Sequence, residues 1–249
     1  MTASAWAASP LVVGHRGGRG EGWPPENTLA SFAQARAQGA RAIELDVRTC
    51  AGGGVVVFHD DTLARMTHGR DARRICDVPE EELASIDLGQ GQTVPRLRDV
   101  LAWARHEEVA VNVEMKHDVP RRRVLASHTV AIVQASGADV LLSSFDPLLL
   151  VLVARHAPSL GRALLTQSRQ RLWADALEEA MRPPLVAGLH IERTQGAPDV
   201  IARYRRRGLR IGAWTVNDPA EARELVRLGV ASIITDHPGE IRRALGARD

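Results

Sequence analysis

Two carboxylates occupy one face of a predicted β-strand, in the segment Ala42-Ile43-Glu44-Leu45-Asp46-Val47. Side chains two residues apart leave a strand on the same side, so Glu44 and Asp46 point together and the aliphatic residues form the opposite face. Burying two unpaired carboxylates side by side is unfavourable, and a divalent cation would remove the cost. All-oxygen ligands favour Mg²⁺, Ca²⁺ or Mn²⁺ over zinc. The alternative interpretation is an exposed edge strand, or ion pairs with nearby arginines.

One lysine, Lys116, stands among the 32 basic residues of the chain, and all the others are arginine. Lysine carries a compact, strongly hydrated point charge, whereas arginine carries a planar fork of donors. The presence of lysine at one position of an otherwise lysine-free chain makes Lys116 a candidate functional residue.

The chain repeats a pattern that would position such residues: an amphipathic helix, a glycine at its end, and then an apolar strand. The best-marked helix has a cap at Asp218, begins at Pro219 and ends before Gly229. Eight such strands separated mostly by helices predict a closed (β/α)8 TIM barrel. The alternative is an open doubly wound sheet, whose GxGxxG turn is missing here. The predicted strands lie at 11–14, 42–47, 111–114, 140–144, 163–166, 188–192, 209–214 and 231–236.

One segment departs from this alternation after the second strand. Three glycines at 52–54 lead into an apolar run at 55–60 with no helix between, which predicts a hairpin arm. Residues 61–95 then contain one convincing short helix, at 79–86. We interpret residues 61–95 as a small insertion within a single barrel domain that comprises residues 1–249.

In barrels of this type the active site lies at the carboxyl ends of the strands. The first strand ends at His15 and Arg16, the hairpin arm ends at His59, and the third parallel strand ends at Glu114 and Lys116. With the pair on the second strand, three carboxylates, two histidines, an arginine and a lysine would meet at one rim. Later strands end at Ser144-Phe145, His190 and Glu192, Trp214-Thr215, and Thr235-Asp236.

This combination of side chains suits chemistry on a phosphate ester. An arginine and a lysine beside a metal ion form a site for an oxyanion. Histidines titrate near neutral pH, so two of them can serve as general base and general acid. A metal ion, an anion clamp and an acid/base pair together favour hydrolysis of a phosphate ester.

Eight short motifs follow one another along nearly the whole chain. They are Gly14-His15-Arg16-Gly17-Gly18, Pro25-Glu26-Asn27-Thr28, Glu44-Leu45-Asp46, His59-Asp60-Asp61-Thr62-Leu63, Glu114-Met115-Lys116, Ser143-Ser144-Phe145, Trp214-Thr215-Val216-Asn217 and Thr235-Asp236-His237-Pro238. In order and spacing they resemble the glycerophosphodiester phosphodiesterase family, and the length resembles its short cytoplasmic bacterial members. The segments 66–69 and 94–97 differ from the pattern of this family. Both lie in or beside the insertion, so they bear on substrate choice rather than on the reaction.

The resemblance implies cleavage of glycerophosphodiesters, such as glycerophosphocholine or glycerophosphoethanolamine, to sn-glycerol 3-phosphate and an alcohol. It also implies one divalent ion, Mg²⁺ or Ca²⁺, with Mn²⁺ as an alternative. The implied roles are metal ligation by Glu44, Asp46 and Glu114, acid/base catalysis by His15 and His59, and phosphate binding by Arg16 and Lys116. Which histidine is the acid, and whether water or the glycerol 2-hydroxyl attacks first, both stay open.

Some residues at the rim keep two interpretations. Phe145 and Trp214 either form a wall against the alcohol of the substrate or pack in the core. His190 and Glu192 either line the pocket or pack inside the barrel. Asp236 either caps the helix that follows it or contacts the substrate.

Three other functions compete with the phosphodiesterase. A metal-dependent lyase or aldolase would use Lys116 as a Schiff base or a base, but the paired histidines argue against it. A barrel that binds glycerophosphodiesters without cleaving them would be expected to lack one of the five metal and acid/base residues. A lysophospholipase D would need an exposed apolar lip near the rim, which residues 88–94 do not obviously provide.

Composition bears on partners and location. With 45% hydrophobic and 25% charged residues, the chain is typical of a soluble globular protein, and its net charge of +2 says little about partners. The arginine runs at 121–123 and 205–207 have no interleaved aromatic residues, so we expect no nucleic-acid partner. Cys50 and Cys76 form no CxxC motif, which suits a reducing compartment. We expect no signal peptide, because the residues before the first strand lack a basic segment and a long apolar stretch, and the longest apolar run, 148–154, is too short to cross a membrane. We therefore expect a cytoplasmic enzyme with a small-molecule substrate and no stable membrane association; the oligomeric state is left open.

Overall fold

The computed structural model describes residues 4–168 and 185–246. Within these ranges the strands are β1 Leu11–His15, β2 Ala42–Thr49, β3 Val55–Val57, β4 Ala110–Met115, β5 Val140–Ser144, β6 Gly161–Thr166, β7 Gly188–Glu192, β8 Arg210–Trp214 and β9 Ser232–Thr235. The α-helices are Leu29–Ala37, Glu80–Leu83, Leu97–His106, Arg122–Ser136, Pro147–His156, Pro198–Arg206, Pro219–Arg227 and Pro238–Ala244.

Eight of the strands close into a parallel barrel. They pair in the order β1-β9-β8-β7-β6-β5-β4-β2, and β1 pairs with β2 to complete the ring. Strand β3 lies outside the ring and runs antiparallel to β2, with Val47 opposite Val57. The structure therefore confirms the predicted (β/α)8 TIM barrel and the hairpin arm after its second strand.

Alternate residues of the strands face two different environments. On β2, Ile43, Leu45 and Val47 are fully buried in the apolar layer between the strands and the helices. The residues between them point into the barrel, which carries its own smaller apolar cluster. That cluster comprises Leu11, Val13, Ala42, Ala110 and Ile234, with Trp6 packed against it from the turn Ala5–Ala7. The acidic side chains of β2 therefore project into the barrel interior above an apolar floor.

The insertion after β2 has a separate small core. It packs Phe58, Leu63, Ile75 and Leu83, among others, beside the hairpin arm. The predicted helix at 79–86 is shorter, Glu80–Leu83, because the chain then tightens. Ser85 N donates to the backbone oxygen of Glu82 and Ile86 N donates to that of Leu83, three residues back in each case. Among residues 4–168 and 185–246, every helix falls short of the length or apolarity needed to cross a membrane.

A buried histidine inside the barrel gives the fold a pH dependence. His190 on β7 is 4% exposed, and its Nδ1 has no hydrogen-bond partner among the described residues. Burial lowers the pKa of His190 to about 4. Histidine in an unfolded chain has a pKa of about 6.5, so the unfolded state binds more protons as pH falls below that value. His190 therefore leaves the free energy of unfolding unchanged well above pH 6.5 and lowers it as the pH falls from 6.5 towards 4.

We expect the free energy of unfolding to fall by about 2 kcal/mol through His190 between about pH 7.5 and pH 5. Urea unfolding at the two pH values measures this fall, and the same experiment on a His190→Asn variant is the comparison. The variant should lose most of the fall, whatever its absolute stability. An equal fall in both proteins would show that other groups cause it.

Candidate active site

The carboxyl ends of the strands surround a cavity of about 280 Å³. Eight of the nine predicted site residues line it, and the ninth, Asp46, lies directly behind its wall with 1% exposure. The predicted residues in the lining are His15, Arg16, Glu44, His59, Glu114, Lys116, Phe145 and Trp214. We call the placement of active sites at the carboxyl ends of barrel strands the strand-end rule. The residues that it selected meet at one cavity, although they lie between positions 15 and 214 of the chain.

Three carboxylates meet on the adjacent strands β2 and β4. Asp46 is paired in register with Glu114, and Glu44 precedes Asp46 on the same face. One oxygen from each of Glu44, Asp46 and Glu114 lies within 4.8 Å of the other two. Burial and the neighbouring charges of Asp46 and Glu114 raise the pKa of Glu44 well above its usual value. This excess of buried negative charge on oxygen ligands fits a hard divalent cation.

Two cationic side chains lie against the same carboxylates. Lys116 Nζ donates to Glu114 Oε1 at 2.9 Å and to Asp46 Oδ1 at 3.3 Å. Arg16 Nε forms an ion pair with Asp46 Oδ2 at 3.1 Å. Burial opposes ionisation of Asp46, but Lys116 and Arg16 outweigh it and hold the pKa of Asp46 well below its usual range. Burial likewise opposes the charge of Lys116, yet Asp46 and Glu114 raise the pKa of this ammonium group.

His15 is held by a carboxylate from the far end of the chain. Its Nδ1 lies 2.7 Å from Asp236 Oδ1, and Asn217 Nδ2 donates to the other oxygen of Asp236 at 2.8 Å. Although burial opposes it, the contact with His15 lowers the pKa of Asp236 to about 2. An ionised Asp236 accepts a hydrogen bond from Nδ1–H of His15. This leaves Nε2 of the ring, 3.9 Å from Glu44 Oε2, as the exchangeable nitrogen.

The capping interpretation of Asp236 is wrong. The helix Pro238–Ala244 has His237 at its N-cap position and no side-chain capping bond. The carboxylate of Asp236 is directed towards His15 instead. Sequence patterns could not reveal this pair, because the two residues are 221 positions apart.

His59 follows the hairpin arm, just before the insertion, and lines the same cavity as His15. Its Nδ1 lies 2.6 Å from Asp60 Oδ1, and Arg65 Nε donates to Asp60 Oδ2 at 2.6 Å. Arg65 also donates to Glu26 at 2.7 Å, and Glu26 in turn accepts from Arg16. A continuous series of charged hydrogen bonds therefore connects the loops that carry the two histidines. The side chain of His59 is 32% exposed, whereas that of His15 is 13% exposed.

The loop after β1 needs an unusual backbone to place Arg16. Arg16 itself has φ of 50°, and Gly17 follows with φ of 89°. A Cβ atom at Gly17 would lie 2.2 Å from Ser31 Oγ, so a side chain has no room there. The turn brings the backbone N–H of Arg16 to Glu44 Oε2 at 3.0 Å. The glycine-rich character of this motif therefore follows from the close approach of the loop to the first helix and to β2.

An aromatic wall closes one side of the cavity. Phe145 meets Trp214 edge to face at 5.5 Å between ring centroids, and His117 meets Phe145 at 6.0 Å. Trp214 Nε1 donates to the backbone oxygen of His190 at 3.1 Å, which holds the indole in place. Both predicted wall residues line the cavity, while His190 and Glu192 do not.

The sequence analysis missed three polar residues of the lining: Asn112, His117 and Gln167. Asn112 could have been found, because it precedes Glu114 by two positions on β4 and therefore shares its face. Gln167 directly follows β6, where the strand-end rule also applies. His117 follows Lys116, but no spacing rule distinguishes it from the exposed histidines.

Comparison with known proteins agrees with this geometry. The sequence matches the model of the glycerophosphoryl diester phosphodiesterase family over residues 15–240. It is 30% identical over 239 residues to a glycerophosphodiester phosphodiesterase of Caldanaerobacter subterraneus subsp. tengcongensis, with 92% of this chain and 94% of that protein covered.

Solved structures lead to the same family. A phosphodiesterase of Oleispira antarctica in complex with the product sn-glycerol-3-phosphate superposes with a TM-score of 0.86 at 28% identity, over 98% of this chain and 100% of that one. A glycerophosphodiester phosphodiesterase of Thermotoga maritima superposes with a TM-score of 0.76 at 28% identity, over 94% and 97%. The chain therefore belongs to the glycerophosphoryl diester phosphodiesterase family and is an enzyme of the phosphoric diester hydrolase class.

Proposed function

We propose that this enzyme hydrolyses glycerophosphodiesters to sn-glycerol 3-phosphate and a free alcohol, using one divalent cation and two histidines. The observation that carries the proposal is the set of side chains at one cavity: two histidines with carboxylate partners, two cationic side chains, and a triad of carboxylates of which two line the cavity and the third, Asp46, contacts Lys116 and Arg16. The similarity to a phosphodiesterase in complex with sn-glycerol-3-phosphate supports the product.

Glu44, Asp46 and Glu114 would hold the cation, with Mg²⁺ or Ca²⁺ preferred and Mn²⁺ as an alternative, because all three ligands are carboxylates. When bound, such a cation supplies positive charge that stabilises a developing phosphoryl oxyanion. Arg16 and Lys116 lie beside the same carboxylates and would bind the remaining phosphoryl oxygens. Lys116 stays protonated in this setting, which suits anion binding.

The two histidines would exchange protons at their free Nε2 atoms. Asp236 and Asp60 hold the Nδ1 atoms of His15 and His59, so each imidazole keeps the tautomer that leaves Nε2 available. One ring would accept a proton from the nucleophile, which is either water or the glycerol 2-hydroxyl, and the other would donate a proton to the leaving oxygen. The assignment of these two roles to the rings stays open.

The observations favour this proposal over the competing functions. Schiff-base chemistry needs a neutral amine, whereas two carboxylates keep Lys116 charged. An apolar lip for lysophospholipids is not formed by residues 88–94, whose apolar ends Leu88 and Val94 are buried. All five metal and acid/base candidates are close to one cavity, which a pure binding barrel would not require.

The aromatic wall would contact the alcohol of the substrate. Phe145 and Trp214 present ring faces and edges on which the quaternary ammonium of choline can be stabilised by about 0.5–2 kcal/mol. We expect Phe145→Leu to lower kcat/KM for glycerophosphocholine by about 3- to 30-fold, while kcat/KM for glycerophosphoglycerol stays within about threefold. Leucine keeps much of the apolar volume and removes the ring. Equal losses for both substrates would mean that the wall has a packing role only.

The test of the proposed function is release of glycerol 3-phosphate from glycerophosphocholine, measured with a coupled dehydrogenase. The protein is first treated with EDTA and then assayed with Mg²⁺, Ca²⁺ or Mn²⁺ restored. Lysophosphatidylcholine is assayed in parallel for release of choline, because its cleavage by a lysophospholipase D yields lysophosphatidic acid and no glycerol 3-phosphate. Metal-dependent release from glycerophosphocholine is the expected result. No release from folded protein with any of the three metals would overturn the proposal, and cleavage of the lysolipid alone would establish a lysophospholipase D.

A further inference from the structure

Arg48 is a buried cation that neither the metal site nor the phosphate site uses. It lies on β2 two residues after Asp46, so it shares the inward face of Glu44 and Asp46. Only 3% of the residue is exposed. A guanidinium this deeply buried requires compensating partners, because removing its hydration is costly. The identity of those partners therefore indicates what Arg48 holds together.

The partners of Arg48 belong to two loops at the rim. Its Nε donates to the backbone oxygen of His59 at 2.8 Å. Its Nη2 donates to both carboxylate oxygens of Asp118, at 2.9 and 2.7 Å. The remaining nitrogen, Nη1, lies 3.7 Å from Asp61 Oδ1. One planar side chain therefore joins the end of β2, the segment with His59 and the loop that follows Lys116.

His59 has few other constraints on its position. Its side chain is 32% exposed, and the hydrogen bond of its ring in the described part of the chain is the one to the adjacent Asp60. The backbone before it is fixed by the bond from Phe58 N to Asp46 O at 2.9 Å. Arg48 provides the matching constraint on the backbone oxygen of His59 itself.

We infer that Arg48 is a positioning residue for His59, holding its backbone relative to the metal-ligating strand and to the loop of Asp118. The inference rests on the proposed role of His59 in proton exchange. A displacement of a reacting group by about 1 Å can lower a rate by about 10²-fold. Lysine at this position keeps the positive charge but cannot donate from a planar fork to both partners.

The first measurement is a comparison of kcat and KM for the wild-type protein and Arg48→Lys with glycerophosphocholine. We expect kcat to fall by about 10- to 100-fold and KM to change by less than about threefold, because substrate-binding groups keep their places. Arg162→Lys is the matched control. Arg162 is also a buried arginine that donates to backbone oxygens, those of Leu185 and Leu160, but it lies outside the cavity. We expect this control to keep wild-type kcat.

A double-mutant cycle separates positioning from general support of the fold. In a His59→Asn background, Arg48→Lys should lower the residual kcat by less than about threefold, because Arg48 acts through His59. A loss of the same size in both backgrounds would overturn the inference. If Arg48→Lys does not fold, Asp118→Asn takes its place in the cycle, since it weakens the two bonds that anchor the guanidinium of Arg48. We expect it to lower kcat more in the wild-type background than in the His59→Asn background, and an equal loss in both would overturn the inference.

A second readout does not depend on catalysis. In protein labelled with nitrogen-15 at histidine, the ring signals of His59 are assigned by their loss in His59→Asn. We expect Arg48→Lys to shift or broaden these signals and to leave those of His15 unchanged. Unchanged His59 signals would contradict the inference. If wild-type protein released no glycerol 3-phosphate, the proposed function would fail, while this spectrum would still decide whether Arg48 holds His59.

Discussion

Replacement of His15 by asparagine is expected to lower kcat for glycerophosphocholine by about 10²- to 10⁴-fold, with a much smaller change in KM. The imidazole has one nitrogen bonded to Asp236 and the other 3.9 Å from Glu44 Oε2, so its orientation suits it to carry a proton at Nε2. Asparagine keeps a polar group that can still bond to Asp236 but cannot exchange a proton near neutral pH. The measurement is steady-state kinetics at saturating metal.

The matched control for this variant is His128→Asn. His128 also forms one hydrogen bond through Nδ1, to the backbone oxygen of Gly53 at 2.7 Å, but it lies on the outer helix Arg122–Ser136. We expect this variant to keep kcat within about twofold of wild type. Asp236→Asn should give an intermediate loss, because it weakens the orientation of His15 and leaves its ring in place. Retention of more than about a tenth of wild-type kcat by His15→Asn would exclude His15 from the proton transfer.

Removal of the divalent cation is the second change with a large expected effect. Chelation should lower activity by at least about 10³-fold, because a metal ion contributes several kcal/mol of charge stabilisation at a phosphoryl group. Glu114→Gln should have a comparable effect at low metal concentration, because it replaces one of three carboxylates in the cluster. Restoring metal should recover the chelated wild-type protein fully and the variant only at much higher metal concentration.

Thermal unfolding provides a readout of the metal that is independent of activity. A ligand at about 100 times its dissociation constant stabilises a protein by about 2.7 kcal/mol, which is several degrees in Tm for a chain of this size. Glu80→Gln is the control, since Glu80 lies outside the cavity and bonds to Arg98 at 2.9 Å. This control should keep the metal-dependent shift, and Glu114→Gln should lose it. A wild-type Tm and activity both insensitive to EDTA would refute metal binding at the carboxylate cluster.

Local sequence patterns predicted much of the fold because they depend on neighbouring residues. Asp218 caps the helix that begins at Pro219 by accepting from Glu221 N at 2.7 Å, as its position before a helical proline indicates. The alternation on β2 placed the carboxylates on one face and the aliphatic residues on the other, and both are observed. The length of the short helix in the insertion was overestimated, because the sequence at 79–86 does not show where α-helical hydrogen bonding gives way to the tighter i to i+3 pattern.

The candidate site was predicted through a different kind of regularity. In a parallel barrel all strands end at the same rim, so residues far apart in sequence can be grouped before any contact is known. That rule and the family motifs together selected nine residues, and eight of them line one cavity. The same rule could have identified Asn112. It could not show that His190 lies inside the barrel and His15 at the rim, because that difference depends on how far each strand extends.

The sequence by itself determined the strands, the start of the helix at Pro219 and the residue types that gather at the rim, since period-two alternation, caps and glycine turns act over a few residues. Only the tertiary structure decided the partners. Asp236 meets His15, Arg48 meets both His59 and Asp118, and Arg65 connects Asp60 to Glu26. The reason is physical: charge pairing needs side-chain atoms within about 3 Å, and closure of the barrel sets those distances between residues that no local pattern relates.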